Sequence, residues 1–231
     1  MAPSLLLTYI KTRLTNYSIV FYDNDVTFIG GTNMKKQKLR ASDMALVGMF
    51  AALMGIGANM TSFAPFLQIG GIPLTMQPFF CLLSGLLLGR RLGALAMIVY
   101  ALVGFMGAPV FAHFSGGISA LFKGSGGFIL SYIPAAYAAG WVTDRKADPQ
   151  TKHFFAASVI GTAVIYFIGV NYMYLAFKYW LNTPVTYTAA WKSMVWLFIK
   201  DFAFSILLAA LASKVYRAVQ KAAGFNRNPS F

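Results

Sequence analysis

Six long apolar stretches, separated by short connections, constrain this chain more than any other feature. They cover approximately residues 43–61, 75–89, 92–108, 126–143, 154–177 and 193–213. Most approach the ~20 apolar residues that an α-helix needs to cross a bilayer, although the second and third are short. Only 11% of the residues are charged, compared with about 25% in a typical soluble domain. The sequence therefore predicts an all-α integral membrane protein with six transmembrane helices.

The basic residues predict how these helices are oriented, because lysine and arginine concentrate in cytoplasmic loops. If residue 34 is cytoplasmic, only Lys123, Lys178 and Lys192 among the loop residues fall outside. We therefore expect a multi-pass protein of the bacterial cytoplasmic (inner) membrane, with both termini in the cytoplasm. The basic residues expected inside are Lys35, Lys36, Lys38, Arg40, Arg90, Arg91, Arg145, Lys146, Lys152, Lys214, Arg217, Lys221 and Arg227. The net charge of +13 thus indicates membrane topology, and no basic stripe interleaved with aromatic residues suggests nucleic-acid binding.

The first 33 residues differ in character from the rest of the chain. They contain no uninterrupted apolar run long enough to span a bilayer. The following Met34-Lys-Lys is typical of a bacterial start and a basic membrane entry. We expect residues 1–33 to be an N-terminal extension that is disordered or that reflects a mis-assigned start, and residues 34–231 to be the six-helix membrane domain.

Three connections assigned to the outer side, residues 62–75, 108–127 and 178–192, are unusually apolar and rich in glycine, proline or aromatic residues. Irregular backbone at membrane depth must be buried in protein or line a cavity. We therefore expect re-entrant or lid-like outer loops over an outward-facing pocket. Connectors that lie on the membrane interface are the alternative.

The sequence offers no catalytic residues and no metal site. There is no G-x-x-x-x-G-K-[ST] motif for ATP hydrolysis, and Cys81 is the only cysteine. His113 and His153 fall on opposite sides of the expected membrane, so they cannot share a site. We expect a protein without cofactor, and any ATPase that drives it must be a partner.

Asp201 is the strongest candidate for a binding residue. It lies in the apolar stretch WLFIKDFAFSILLAALA, and an ionisable residue within a span costs about 2.5–3.5 kcal/mol. We expect its partner to be a polar ligand or a residue of another helix. Lys200 is adjacent, but successive helical residues point about 100° apart, so direct pairing is not expected. Lys200 can instead extend to the outer interface.

Other polar residues at membrane depth are candidates for the same site. Each alone more often makes a helix–helix hydrogen bond, but together with Asp201 they could line one polar cavity. They are Thr75, Gln77, Tyr100, Tyr166 and Asn171.

Small residues recur on the first apolar segment at positions that allow close helix approach. Gly48, Ala51, Ala52 and Gly55 form this set. Such spacing favours either a docking face for a partner protein or internal packing.

Several short motifs occur in a specific order: LTMQ, LLLGRRLGAL, GAPVFA, SGG and GSGGF. With these motifs, about residues 40–217 resemble the BioY family, the biotin-binding S components of energy-coupling factor (ECF) vitamin transporters. The resemblance implies six helices, an outward lid over a biotin pocket, and biotin as the transported ligand. It also implies assembly with a transmembrane coupling protein and two cytoplasmic ATPases.

The resemblance assigns the acidic residue of the last helix to Asp201. The family lysine three positions later is Phe204 here, which leaves open whether biotin or another small vitamin is the ligand. We expect the substrate-binding residues to be Asp201, Gln77, Tyr100, Lys200 and the SGG loop. In that loop, the amides around Ser115, Gly116 and Gly117 could hold a carboxylate as a backbone nest. A less favoured alternative is an intramembrane enzyme that uses Asp201 as an acid or base, and another is a structural membrane partner without a ligand.

Overall fold

The computed structural model describes residues 17–22, 25–30, 39–62, 68–69, 72–73, 75–146 and 148–223. The chain divides into two compact units, residues 1–40 and 41–231. In the first unit, strands β1 (Tyr17–Tyr22) and β2 (Asp25–Gly30) pair antiparallel. Much of the extension expected over residues 1–33 lies outside the described residues, so its predicted character and boundary stay a prediction.

Among its described residues, the second unit contains five α-helices. They are α1 (Ala41–Asn59), α2 (Gln77–Phe105), α3 (Gly126–Asp144), α4 (Thr151–Tyr179) and α5 (Tyr187–Ala223). A two-residue strand pair, β3 (Gln68–Ile69) with β4 (Ile72–Pro73), lies between α1 and α2. A helix satisfies its own backbone polar groups, which is what a lipid environment demands. The predicted all-α architecture is therefore confirmed for this part of the chain.

Helix α2 covers two of the six predicted segments, and it is not straight. Gly89 has φ +86° and ψ 176°, which interrupts the helix. The Nε2 of Gln77 donates to the hydroxyl of Tyr100 over 2.7 Å, although the two residues are 23 positions apart. In a straight helix they would be about 34 Å apart. The chain therefore reverses near Gly89, and the two halves of α2 lie side by side.

Glycine makes this reversal possible. A Cβ added at Gly93 would lie 2.7 Å from the Cα of Gly85, in the other half of α2. A Cβ added at Gly140 of α3 would collide with the backbone of Arg90 in the turn. The halves of α2 and the end of α3 thus approach to backbone contact. Helix α3 packs between α2 and α4, while α5 packs on α4 and α1 packs on α2.

The surface of the second unit is strongly apolar. Among the described residues, four helices have the length and hydropathy of a bilayer span, with α2 taken over its whole length despite the reversal: α1, α2, α4 and residues 187–218 of α5. Large apolar side chains on α4 and α5 point away from the core, and Phe167 and Trp196 are 68% and 63% exposed. Water would penalise such a surface and hydrocarbon would not. A membrane location follows from both observations.

The close approach in α2 makes a test of the fold. Gly93→Ala should destabilise the protein by about 1–3 kcal/mol because the added methyl group overpacks the interface between the two halves of α2. Gly48→Ala is the matched control, since an added Cβ there meets nothing within 4 Å. Thermal unfolding of both variants in detergent measures the difference. Equal melting temperatures would contradict the folded-back arrangement of α2.

Candidate ligand-binding site

A cavity of about 660 Å³ lies among α2–α5 and the connection between α2 and α3. Its volume is typical of a site for a small organic molecule. Its apolar lining includes Phe128, Ile165, Met173, Phe177 and Leu197. Charged groups are few: among the described residues that line it, only Lys123, Lys200 and Asp201 carry a formal charge. The cavity is therefore a mostly apolar site with a small number of placed polar groups.

Asp201 is held on both carboxylate oxygens. The hydroxyl of Tyr166, on α4, donates to Oδ2 over 2.7 Å. The ammonium of Lys200 lies 3.0 Å from Oδ1. The aspartate is only 5% exposed, so these contacts offset its removal from water. Of the two kinds of partner expected for Asp201, a polar ligand or a residue of another helix, the structure shows the second, Tyr166.

The prediction that Lys200 and Asp201 do not pair is wrong. Their Cβ atoms do diverge around the helix, but the lysine has a long flexible stem that bends back toward the carboxylate. Lys200 does not extend to the interface, because its ammonium also donates to the carbonyl oxygen of Thr75 over 2.7 Å. An ammonium has three N–H donors, so one remains after these two contacts.

Phe204 packs against both Lys200 and Phe79. Its ring centroid lies 5.9 Å from the ammonium of Lys200 and 6.0 Å from the ring centroid of Phe79. A cation at this distance is attracted by the ring face. The cation beside Asp201 therefore comes from the preceding residue, and position 204 contributes an aromatic ring in place of a donor.

Gln77 and Tyr100 take different positions relative to the cavity, although their side chains are hydrogen-bonded. Gln77 lines the cavity. Tyr100 is not among the lining residues; its hydroxyl accepts from Gln77 and donates to the carbonyl of Val110 over 3.2 Å. Tyr100 was predicted as a binding residue, but its position is behind Gln77, where it orients the amide.

Two of the three amides of the predicted SGG nest already have hydrogen-bond partners within the protein. Ser115 lines the cavity, whereas Gly116 and Gly117 do not appear among the lining residues. The N–H of Gly117 donates to the carbonyl of Gly104 over 2.7 Å, and the N–H of Ser115 donates to that of Ala112 over 3.4 Å. These amides are engaged in shaping the loop. A Cβ at Gly116 would collide with the carbonyl of Ala108, and Gly117 has φ +91°, so the glycines are there for backbone geometry.

Several cavity residues were not predicted as site residues. Lys123 and His113 line the cavity. The sequence analysis used Lys123 only to predict topology and treated His113 only as a loop residue. The position of Lys123 directly before the GSGGF motif was the available signal. Conversely, Asn171 was expected in the cavity, but its side chain bonds to the carbonyl of Phe167 and the hydroxyl of Tyr187. Within the described residues, no cluster of metal-ligating side chains is found.

The four small residues of α1 do not share one environment. Gly48 and Ala52 are exposed, while Ala51 and Gly55 are half-buried. A Cβ at Gly55 would lie 3.4 Å from the side chain of Val110. Part of this set therefore packs internally, and part faces outward.

Comparisons with known proteins place this chain in a family. Residues 33–221 match the family model described as the BioY family. The chain belongs to the BioY family. BioYB of Bacillus subtilis (strain 168), whose name marks it as a candidate biotin transporter, is 60% identical over 195 residues, which are 84% of this chain and 98% of BioYB. The biotin transporter BioY of Thermotoga maritima is 37% identical over 123 residues, covering 53% of this chain and 69% of that protein.

One solved structure shares the fold of this BioY-family chain. It is the crystal structure, at 2.1 Å, of the S-component for biotin from an ECF-type ABC transporter. The TM-score is 0.64 at 17% identity, with 80% of this chain and 94% of that chain covered. The relatives named here are transporters, which agrees with the expectation that this chain is not an enzyme.

The buried ion pair makes a test of the site. Lys200→Met should destabilise the protein by about 3–5 kcal/mol, because it leaves Asp201 charged and buried without its cation. Adding Asp201→Asn should restore much of that loss, since the unpaired charge is then removed. Thermal unfolding of both single variants and the double variant gives the coupling. The exposed Lys192 provides the control, Lys192→Met, and purely additive effects would contradict the pairing.

Proposed function

We propose that this BioY-family protein takes up biotin: it binds biotin in an outward-facing cavity and delivers it inward, energised by partner ATPases. The observation that carries the proposal is the hydrogen-bonded Asp201–Lys200–Tyr166 cluster inside a cavity of suitable size. The names of the relatives support biotin as the ligand.

The ureido ring of biotin fits the polar cluster. It has two N–H donors and one carbonyl acceptor. Each oxygen of Asp201 has more than one lone pair, so the carboxylate can accept from the ring while it keeps Tyr166 and Lys200. The remaining N–H of Lys200 and the amide of Gln77 are donors for the ureido carbonyl. Ser115 lies on the same cavity surface and adds a hydroxyl.

The rest of biotin is apolar apart from its carboxylate. The thioether ring and the valerate chain would pack on Phe128, Met173 and Phe177, since sulfur makes favourable contacts with aromatic rings. The cavity contains two lysines and one aspartate, so its formal charge is 2 − 1 = +1. This sign favours a monoanion. Lys123 is exposed and has no side-chain partner among the described residues, which makes it the proposed carboxylate anchor in place of the SGG amides.

Phe204 no longer argues strongly for a different vitamin. The cation that the family places three residues after the aspartate is replaced by Lys200, whose ammonium reaches the same carboxylate. Another small vitamin is the alternative ligand. A lysine at position 204, as in the family, and Lys200 of this chain would approach a ligand from different sides.

We infer six membrane spans, counting the two halves of α2 separately. The reversal at Gly89 makes the number of spans even, so both termini lie on the same side of the membrane. The distribution of basic residues assigns that side to the cytoplasm. The connection over residues 108–127 contributes cavity lining, which supports its role as a lid. Most of the second expected lid, residues 62–75, lies outside the described residues, but Thr75 at its end is the acceptor for Lys200.

The proposed partners are a transmembrane coupling protein and two cytoplasmic ATPases. The solved relative is the S-component of an ECF-type ABC transporter, which supports a module of this kind. Gly48 and Ala52 on the exposed face of α1 form the proposed docking surface, because small residues let another helix approach closely. Ala51 and Gly55 flank that surface and pack inward.

Biotin binding tests the proposed function directly. Titration calorimetry of the purified protein in detergent should show binding, and Asp201→Asn should weaken it by about 2 kcal/mol, the cost of a lost hydrogen bond to a charged group. Asp148→Asn, at an exposed loop position, is the matched control and should bind as the wild type does. Absence of biotin binding by folded wild-type protein would reject biotin and lead to a screen of other vitamins.

The carboxylate anchor has its own test. Lys123→Met should weaken biotin binding about tenfold, because a charge-assisted hydrogen bond is lost. The same substitution should leave binding of the neutral biotin amide nearly unchanged. Lys192→Met removes a lysine that does not line the cavity and controls for net charge. An equal loss for the acid and the amide would place the carboxylate elsewhere.

A further inference from the structure

Residues 111–115, named here the wall loop, form one side of the cavity. Phe111, Ala112, His113 and Ser115 all line it. Phe114 is the fifth residue, and its side chain is 52% exposed. Four of the five residues of the wall loop therefore line the cavity, and the exception is Phe114 at its tip.

The base of the wall loop is anchored in the core. The N–H of Phe111 donates to the carbonyl of Ser115 over 2.9 Å, and Phe111 is only 2% exposed. Its ring packs edge-on against Tyr100, with centroids 5.5 Å apart. A Cβ at Gly104 would collide with this ring, so the fit is close.

The tip of the wall loop has a strained backbone. His113 has φ +59° and ψ +37°, and Phe114 has φ +52°. Two successive non-glycine residues in the left-handed region are uncommon, and such a conformation persists only when the surroundings hold it. Something beyond the base must therefore stabilise the tip.

Asn59 supplies that restraint. Its Oδ1 accepts from the N–H of Phe114 over 2.6 Å, and its Nδ2 donates to the carbonyl of Gly55 over 3.0 Å. The two bonds fix the amide orientation, because the oxygen must face a donor and the nitrogen an acceptor. Asn59 is 5% exposed, so its amide is largely shielded from water.

Helix α1, which the structure describes completely, contributes no residue to the cavity lining. It reaches the cavity through its contacts with the wall loop and the adjacent Val110, and through the carbonyl of Gly57, which accepts from the N–H of Met76 between Thr75 and Gln77. We propose that Asn59 is a positioning residue that holds the wall loop in its ligand-retaining conformation. This inference rests on the proposed function in that it takes biotin as the ligand.

The experiment measures dissociation of radiolabelled biotin from the purified full-length protein in detergent. Asn59→Leu keeps the size of the side chain but leaves the N–H of Phe114 without its acceptor. Dissociation should become about tenfold faster, equivalent to about 1.4 kcal/mol, with the association rate changed less than threefold. Asn59→Asp, with its buried carboxyl protonated, still offers an acceptor to Phe114 and an O–H donor to the carbonyl of Gly55, so it should stay within threefold of the wild type. If Asn59→Leu does not fold, Asn59→Ser, which is too short to reach the loop, replaces it.

A rescue separates positioning from general stability. In the Asn59→Leu background, Phe114→Gly should recover part of the slow dissociation, because glycine adopts the left-handed conformation at little cost. Phe114→Ala removes the same ring without that freedom and should not rescue. Dissociation by Asn59→Leu within twofold of the wild type, or equal effects of Gly and Ala, would overturn the proposal.

A second measurement needs no ligand. Amide hydrogen exchange over residues 106–118 should become faster in Asn59→Leu and remain slow in Asn59→Asp. If wild-type protein does not bind biotin, the proposed ligand fails while this exchange test still decides whether Asn59 holds the wall loop. Unchanged exchange in Asn59→Leu would reject the restraint itself.

Discussion

The buried carboxylate of Asp201 is the constraint on which the site depends. A charge in a low-dielectric interior is tolerated only when it is paired and hydrogen-bonded. Tyr166 ties the carboxylate to α4, and Lys200 ties it to the carbonyl of Thr75, at the end of the connection between α1 and α2. One ionic cluster thus joins three parts of the chain at the cavity. A ligand that bonds to this cluster would add to an existing network, so little reorganisation is needed to bind it.

The fold brings those parts together through backbone contacts between small residues. Lipid tails are as apolar as leucine, so close packing replaces the hydrophobic effect as the force between membrane helices. The approach of Gly93 to Gly85 and of Gly140 to Arg90 is the clearest case. It folds α2 back on itself and brings Gln77 beside Tyr100. Tyr100, although distant along the chain, thus comes to lie behind the cavity-lining Gln77 because glycine removes the intervening volume.

Sequence reasoning located the helices and the central acid, because both depend on residue type. Apolar length predicts a span, and an acid within it predicts a buried partner. The rest depends on three-dimensional detail that residue type does not encode. The bend of the Lys200 stem is a rotamer choice, and the position of Tyr100 behind Gln77 depends on the reversal of α2. The engagement of the Gly117 amide depends on a loop conformation. Each of these was missed for that reason.

Helix α1 shows how a residue remote from the ligand can still matter to it. One face of α1 exposes Gly48 and Ala52, and Asn59 at its end holds the wall loop. A partner that shifts α1 on docking would act on the wall loop through this bond. Coupling between two binding events is reciprocal, so a ligand that stabilises the wall loop must change partner affinity by the same factor. The hydrogen bond from Phe114 to Asn59 at the end of α1 is enough to couple partner docking to ligand binding, provided that the strained wall loop relaxes when this bond is lost.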